Sequence, residues 1–354
     1  MNVFQIIRRF RQWLYDGEAR AQTEVLRAYE VAWKAIAEEL AKVTSQAGAS
    51  SEEVTPRSFA PEQMRLRELE RQIVKEIRKV GRVASNVTMR EQERLVKAAE
   101  RQSARLIESK LNTGSAVEVG ATFNKLPADV INNLVGAASD GSPVRESFDR
   151  LAGDLGLATG ERVKTALVQG AALGMNPTEI ARHVRREVDA KGDNQMRQPA
   201  VVRRLNQTVR TESYRALREA TRASYEASGV TELWRWVSAL SPTTCVVCWA
   251  MHGKMFPLDV PLESHIACRC VMVPVLDPNE PFETGPERFA KLEHGFQKQV
   301  LGETAFEAYQ DGRVKLEDLV GIRASERWGR SRYRRSLKEI NGGLDTSLRS
   351  LSGQ

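Results

Sequence analysis

The residues with the most chemistry to offer lie between Leu233 and Val275, a stretch that holds all four cysteines of the chain. Cys245 and Cys248 stand at Cys-x-x-Cys spacing, Cys268 and Cys270 are two apart, and His265 precedes Cys268 by three residues. Cysteines used only for packing would scatter over the many apolar positions outside this stretch; these are gathered. A Cys-x-x-Cys turn directs two sulfurs at one point, and residues two apart on an extended segment project from one face, so the four thiolates can close a tetrahedral zinc site. His265 is a competing donor able to replace one sulfur, and His252 is a weaker one.

Two other outcomes use the same residues: a pair of disulfides, or reduced thiols packed in a small core without metal. The apolar residues of the N-terminus are interrupted by Arg8, Arg9 and Arg11 and no small-residue cleavage site follows, so the expectation is a reducing compartment with free thiols. A thioredoxin-type pair would open a helix after a strand and needs no second pair of cysteines. Structural zinc is therefore the expected cofactor.

These side chains need elements to carry them. Leu233, Trp234, Trp236 and Val237 suggest a strand before the first cysteine pair, Gly253 a turn, and Val271 to Val275 a strand after the second. Upstream, Val201 to Ser228 reads as a helix ended by Gly229. On it, Arg210 and Glu212 are two apart and must serve different neighbours, whereas Arg215 and Glu219, four apart, can pair. Asn176 as cap, Pro177 in the first turn and Glu179 three after the cap start a helix over Ile180 to Val188, followed by a loop over Asp189 to Pro199. Phe148 to Leu155 and Gly160 to Ala172 read as two further helices.

The N-terminal region is helical in pattern. Val3, Ile6, Ile7, Phe10 and Leu14 form a short basic amphipathic helix, and Val25, Tyr29, Ala32, Trp33, Ile36 and Leu40 continue the period to the small residues at Ser45 to Ser51. Pro56 and Pro61 mark a linker or turn. From Glu62 to Leu111 the pattern runs about fifty residues, roughly 75 Å if unbroken, with Gly81 as the expected weak point. Such an arm has to bury its stripe against a second helix, its own or another chain's. Between Asn112 and Ser142 short apolar pieces alternate with glycines, which places a boundary there.

After Asp277, Phe289 to Leu301 suggests a helix ended by Gly302, Phe306 and Tyr309 a second, and Asp311-Gly312 a turn. Arg327, Arg330, Arg332, Arg334, Arg335 and Lys338 then cluster around Trp328 and Tyr333. Arginines that can contact phosphates beside rings that can stack on bases make this the strongest nucleic-acid candidate; a solvated basic terminus is the plain alternative.

At 354 residues, with net charge +7 and few aromatics, the chain has room for two or three domains, and no window approaches the apolar run needed to cross a bilayer. Gly-x-Ser-x-Gly and Gly-Lys-Ser/Thr patterns are absent, which removes support from hydrolase and nucleotide-motor classes.

Gly170-x-x-x-Gly174-x-x-Pro177-x-x-Ile180-Ala181, Arg210-Thr-Glu212, Trp236-Val-Ser, Cys245-x-x-Cys248, Gly253-Lys254 and His265-x-x-Cys268-Arg-Cys270 before a Val/Pro strand occur here in this order. Together they resemble the phage Mu F-like minor head protein family, the head morphogenesis proteins, over roughly Phe148 to Val275. One departure is that Pro261 stands apart from His265 by Leu-Glu-Ser, where family members often carry proline directly before the histidine. The resemblance implies a minor component of a tailed-phage or prophage head, sited inside the procapsid near the portal and helping assembly, DNA packaging or DNA exit. It implies that Cys245, Cys248, His265, Cys268 and Cys270 form a metal knot framed by Arg210, Glu212 and Trp236.

The expected fold is mainly α with a small β, zinc-knuckle-like C-terminal subdomain (α+β) and a long N-terminal helical arm. The expected divisions are an arm over 1–112, a linker over 113–147, the Mu F-like domain over 148–276, a small helical unit over 277–322 and a basic tail over 323–354. Expected partners are the portal protein and capsid or scaffolding protein, with double-stranded DNA as a further candidate and no membrane required. The expected location is the virion interior, and the host cytoplasm during assembly. The competing readings are a zinc-containing nucleic-acid-binding module and a metal-dependent nuclease using His252, Asp259 and His265; the second lacks a convincing set of acidic ligands. An ADP-ribosyltransferase reading, prompted by the Arg210-Thr-Glu-Ser run, finds no Glu-x-Glu pair following in a plausible place. The expectation is a non-enzymatic protein.

Overall fold

The computed structural model of the protein describes residues 3–47, 59–111, 143–172, 175, 177–189, 199–325 and 329–341. The fold is mainly helical with small antiparallel sheets in its C-terminal part, as expected. In chain order the helices before the first strand are α1 (Val3–Ala47), α2 (Phe59–Leu111), α3 (Pro143–Ala172), α4 (Pro177–Asp189) and α5 (Ala200–Ser228). Then come β1 (Leu233–Val237), α6 (Val246–Met251), β2 (Met255–Pro257) and β3 (Val271–Val275). The chain continues with α7 (Gly285–Ala290), α8 (His294–Leu301), α9 (Glu303–Gln310), a 3-10 turn at Glu317–Leu319, β4 (Val320–Ser325), β5 (Gly329–Arg334) and α10 (Leu337–Asn341). Among the described residues no helix is long and apolar enough to cross a membrane.

The described residues fall into two compact units. Those within 12–93 and 135–213 form a helical unit; those within 1–11, 94–134 and 214–354 form a second unit that contains the cysteines. In the helical unit, Val25, Tyr29, Ile36 and Leu40 of α1 recur at four- and seven-residue spacing and meet Ile73, Ile77, Val80 and Ala84 of α2, with Phe148, Val163, Val184, Val202 and Leu205 among the rest of the core. Gly81 is not a break in α2. A Cβ there would lie 2.4 Å from the Cβ of Ala152, so the glycine lets α3 approach α2 closely. Pro61 sits in the first turn of α2, where a missing amide donor costs little.

α3 is one helix, not two: Thr159 turns its hydroxyl back onto the Leu155 carbonyl, and Gly156 and Gly160 pack against Val74 and Glu70 of α2, so tertiary contact carries the helix through its glycines. Arg210 and Glu212 do serve different neighbours: the first pairs with Glu18, and the backbone oxygen of the second accepts from Gln92. Glu219 pairs with Arg222. The expected boundary at Asn112 to Ser142, the cap Asn176, most of the loop before Pro199, Arg327 and Trp328 lie outside the described residues.

In the second unit β1 is the middle strand of a sheet ordered β2-β1-β3, antiparallel on both sides, with Trp236 opposite Met272 and Trp234 opposite Phe256. Trp234, Trp236 and Trp249 are fully buried there with Tyr225, Phe289 and Leu301. The segment from Phe289 to Leu301 forms two helices where one was expected. A continuous helix would set Phe289 and Phe296 about 10.5 Å apart along its axis; broken, it brings both rings edge-on to Trp249, at 5.4 and 6.3 Å. Thr284 and Glu287 form a capping box that starts α7.

The basic segment after Leu319 also differs from expectation. β4 and β5 pair as an antiparallel hairpin, Ile322 opposite Arg332 and Val320 opposite Arg334.

Candidate metal centre

The chain leaves β1 through Ser238, turns with Leu240 at φ +52, and enters the short helix α6 with Cys245 as its N-cap residue and Cys248 in its first turn. A Cys-x-x-Cys pair therefore does open a helix after a strand here, the local order of a redox pair. Its sulfurs nevertheless face the second cysteine pair and the histidine. His265, Cys268 and Cys270 sit on the turn before β3, where Ala267 adopts φ +60 and the Cys268 amide donates to the His265 carbonyl at 3.3 Å.

The donors converge in two groups. His265 Nε2 lies 3.2 Å from Cys245 Sγ and 3.1 Å from Cys248 Sγ, while Cys248 Sγ lies 3.7 Å from Cys268 Sγ and 3.3 Å from Cys270 Sγ. Within each group, Cys245, Cys248 and His265 or Cys248, Cys268 and Cys270, the ligand atoms lie within 4.8 Å of one another. Four donors about 2.3 Å from a central ion would stand about 3.8 Å apart; the Cys248–Cys268 separation matches this and the Cys248–Cys270 separation is somewhat shorter. All four cysteines are free, which removes the disulfide alternative from this structure. Cys248, Cys268 and Cys270 are buried and Cys245 is half-buried. The cluster can hold a metal ion.

The electrostatics suit a cation. Hydrogen bonding with Cys248, joined by His265, brings the Cys245 thiol down to about 5 against the upward push of burial. Burial pushes Cys268 up as well, but its bonds to Cys248 and Cys270, the charge of Arg218 and His265 hold it well below the usual thiol range. Cys248 and Cys270 are pushed up, the first by its bonds to the other sulfurs and the second by burial. Burial would lower His265, yet the surrounding sulfurs raise it to about 11. Thiols bind a divalent ion as thiolates, so binding here would displace their remaining protons.

Neighbouring groups fix the donors. The His265 Nδ1 lies 2.8 Å from the Ile266 carbonyl oxygen, which accepts from it when Nδ1 carries the proton, and Nε2 then faces the sulfurs. Ser238 Oγ donates to the Cys248 carbonyl at 2.7 Å and lies 3.2 Å from Cys270 Sγ. His252, the weaker candidate donor, has its Nδ1 taken by the Ser238 amide at 3.0 Å. Asp259 is exposed. Trp236, implied by the family resemblance to frame the knot, is fully buried in β1 two residues before Ser238.

Arg218 of α5 was missed in the sequence. It donates from Nη2 to the Cys268 carbonyl at 2.8 Å, from Nε to the Cys270 carbonyl at 3.2 Å and from Nη1 to Ser264 Oγ at 2.7 Å. A signal existed: Tyr214, Arg218 and Tyr225 lie four and seven residues apart, one helix face, and an arginine on an apolar face needs acceptors.

The hairpin arginines are also engaged. Arg330 pairs with Glu263 at 2.7 Å, Arg332 lies over the rings of Trp236 and Phe256 at 5.9 and 5.8 Å, Arg334 donates to the Leu301 carbonyl, and Arg335 donates to that of Glu339 at 3.0 Å. Lys338 is exposed.

Among known proteins, residues 161–273 match the model of the family described as Phage Mu protein F like protein. That span holds the end of α3, all of α4 and α5, the cluster, and β3 as far as Val273. No curated protein and no solved structure matches the chain.

Proposed function

From the match of residues 161–273 to the phage Mu protein F like family, we propose that this protein is a minor structural component of a tailed-phage or prophage head. It associates with the portal protein, and with capsid or scaffolding protein, inside the procapsid, and assists head assembly, DNA packaging or DNA exit. The family points to a head morphogenesis role and hence to the virion; the family match is the observation that carries the reading.

The cluster of Cys245, Cys248, His265, Cys268 and Cys270 supports a structural part in it, with zinc as the ion. The donors are thiols and an imidazole, their two groups share Cys248, and among the described residues no carboxylate joins a metal-binding group. Zinc bound there would staple the α6 turn to the turn before β3, so its chemistry is cross-linking, not Lewis-acid catalysis. A nuclease would need an open coordination position and a free base; His252 is already an acceptor for Ser238 and Asp259 stands out in solvent.

We assign portal or scaffold contact to the long helices, where Val31 of α1 is a large apolar side chain at 72 % exposure. DNA contact through Arg327, Arg330, Arg332, Arg334, Arg335 and Lys338 is part of the proposal, with Arg330, Arg334 and Lys338 exposed among the described members.

Tagged protein produced during phage assembly should sediment with procapsids and cross-link to the portal protein. Its absence from procapsids and virions would overturn the assignment. Electrophoretic retardation of duplex DNA by the wild type, lost in Arg330→Glu/Lys338→Glu, tests the DNA contact; an unchanged shift would remove it.

A further inference from the structure

Arg218 is 6 % exposed, and a guanidinium keeps its charge wherever it is buried. Its polar partners are the carbonyls of Cys268 and Cys270 and the hydroxyl of Ser264, with the Tyr214 ring 5.8 Å away. All are neutral, and among the described residues no carboxylate pairs with it. A buried charge without a counter-ion is costly. The groups able to compensate it lie just beyond the two carbonyls, on Cys268 and Cys270 themselves.

The same three bonds bracket the ligand turn. Ser264 adjoins His265 on one side, Cys268 and Cys270 lie on the other, and Ala267 between them holds φ +60, a left-handed conformation that a residue with a Cβ adopts only under constraint. A single side chain from α5 thus grips both ends of the segment that carries three of the five candidate donors. A divalent ion with three thiolates and an imidazole keeps one net negative charge, and with four thiolates it keeps two.

We propose that Arg218 is the positioning residue and counter-charge of the metal centre: it holds the turn from Ser264 to Cys270 in ligating shape and compensates the negative charge of a divalent ion bound by three or more thiolates. The inference rests on the metal reading given under Proposed function. It adds that the bound centre is anionic and that its second layer comes from α5.

The test uses the full chain, purified reduced, as wild type, Arg218→Gln and Arg218→Lys. Zinc affinity is measured by competition with a chromophoric chelator, and the cobalt-substituted proteins are compared by their thiolate charge-transfer bands. Loss of an outer-layer partner of this kind weakens metal binding about 10- to 100-fold. That loss, with shifted cobalt bands, is expected for Arg218→Gln, and an intermediate value for Arg218→Lys, which keeps the charge without the three-way fork. A folded Arg218→Gln protein with wild-type affinity and spectrum overturns the proposal, and a lysine variant no better than the glutamine one overturns its counter-charge half. Variants that stay unfolded in excess zinc overturn it too, because they place the residue in the fold and not at the metal. A wild-type chain that binds neither zinc nor cobalt defeats the metal reading itself, and is recognised before any substitution is made.

Discussion

Cys248 Sγ lies 3.1 Å from His265 Nε2, and the same sulfur is the member that both donor groups share. Five donors are available for four places, so the count alone spares any one of them; Cys248 differs because, without it, neither group keeps its three donors. Cys248→Ser should therefore abolish metal binding, whereas Cys270→Ser should keep about one zinc per chain at reduced affinity, as should His265→Ala. Metal analysis after gel filtration reads the difference. Retention of stoichiometric zinc by Cys248→Ser would end the shared-vertex account.

Ser238 supports the same site from the end of β1. Ser238→Ala removes a bond to the Cys248 carbonyl and one to the Cys270 sulfur. The expected cost is about 1 kcal/mol in stability without metal and about tenfold in zinc affinity. Denaturant titration in chelator and in zinc separates the two; equal losses in both would assign Ser238 to packing alone.

Acid should destabilise the unit that contains His252. Burial, then the charges of Arg11 and Arg288, lowers that imidazole from 6.5 to about 4. Above 6.5 neither state binds the proton. As pH falls towards 4 the unfolded chain takes it up while the folded protein does not, so stability present above 6.5 is lost through this window and levels off below it. The loss is on the order of 1 to 3 kcal/mol. His252→Gln should flatten this limb when unfolding midpoints are compared above and below the window. A variant with the full acid loss would show that another group titrates.

Gly81→Ala should destabilise the helical unit although alanine is the better helix former by about 1 kcal/mol. The added Cβ falls 2.4 Å from that of Ala152, which is fully buried, and overpacking of this kind costs about 1 to 3 kcal/mol. Thermal melts should show the single variant below wild type and Gly81→Ala/Ala152→Gly restored towards it. A stabilised single variant would mean that the helices separate without cost.

The hairpin at β4 and β5 shows why some of the fold was hidden in the sequence. Arg330, Arg332, Arg334 and Arg335 look like a solvated basic run because a one-dimensional pattern records charge and not partners. Their actual partners, Glu263, Trp236, Phe256, the Leu301 carbonyl and the Glu339 carbonyl, are mostly distant in sequence. Gly156 and Gly160 hid the continuity of α3 in the same way, since the contacts that carry the helix past them belong to α2.

By itself, the sequence determined the helix stripes, the strands around the cysteines and the set of candidate donors. Each depends on local periodicity or on the spacing of a turn, which a few neighbouring residues set. Only the tertiary structure decided that Cys248 joins both donor groups, that His252 is occupied by Ser238, and that Arg218 grips the ligand turn. Those relations are set by where packed elements bring distant side chains, and burial then makes each unmet hydrogen bond or charge expensive enough to enforce them.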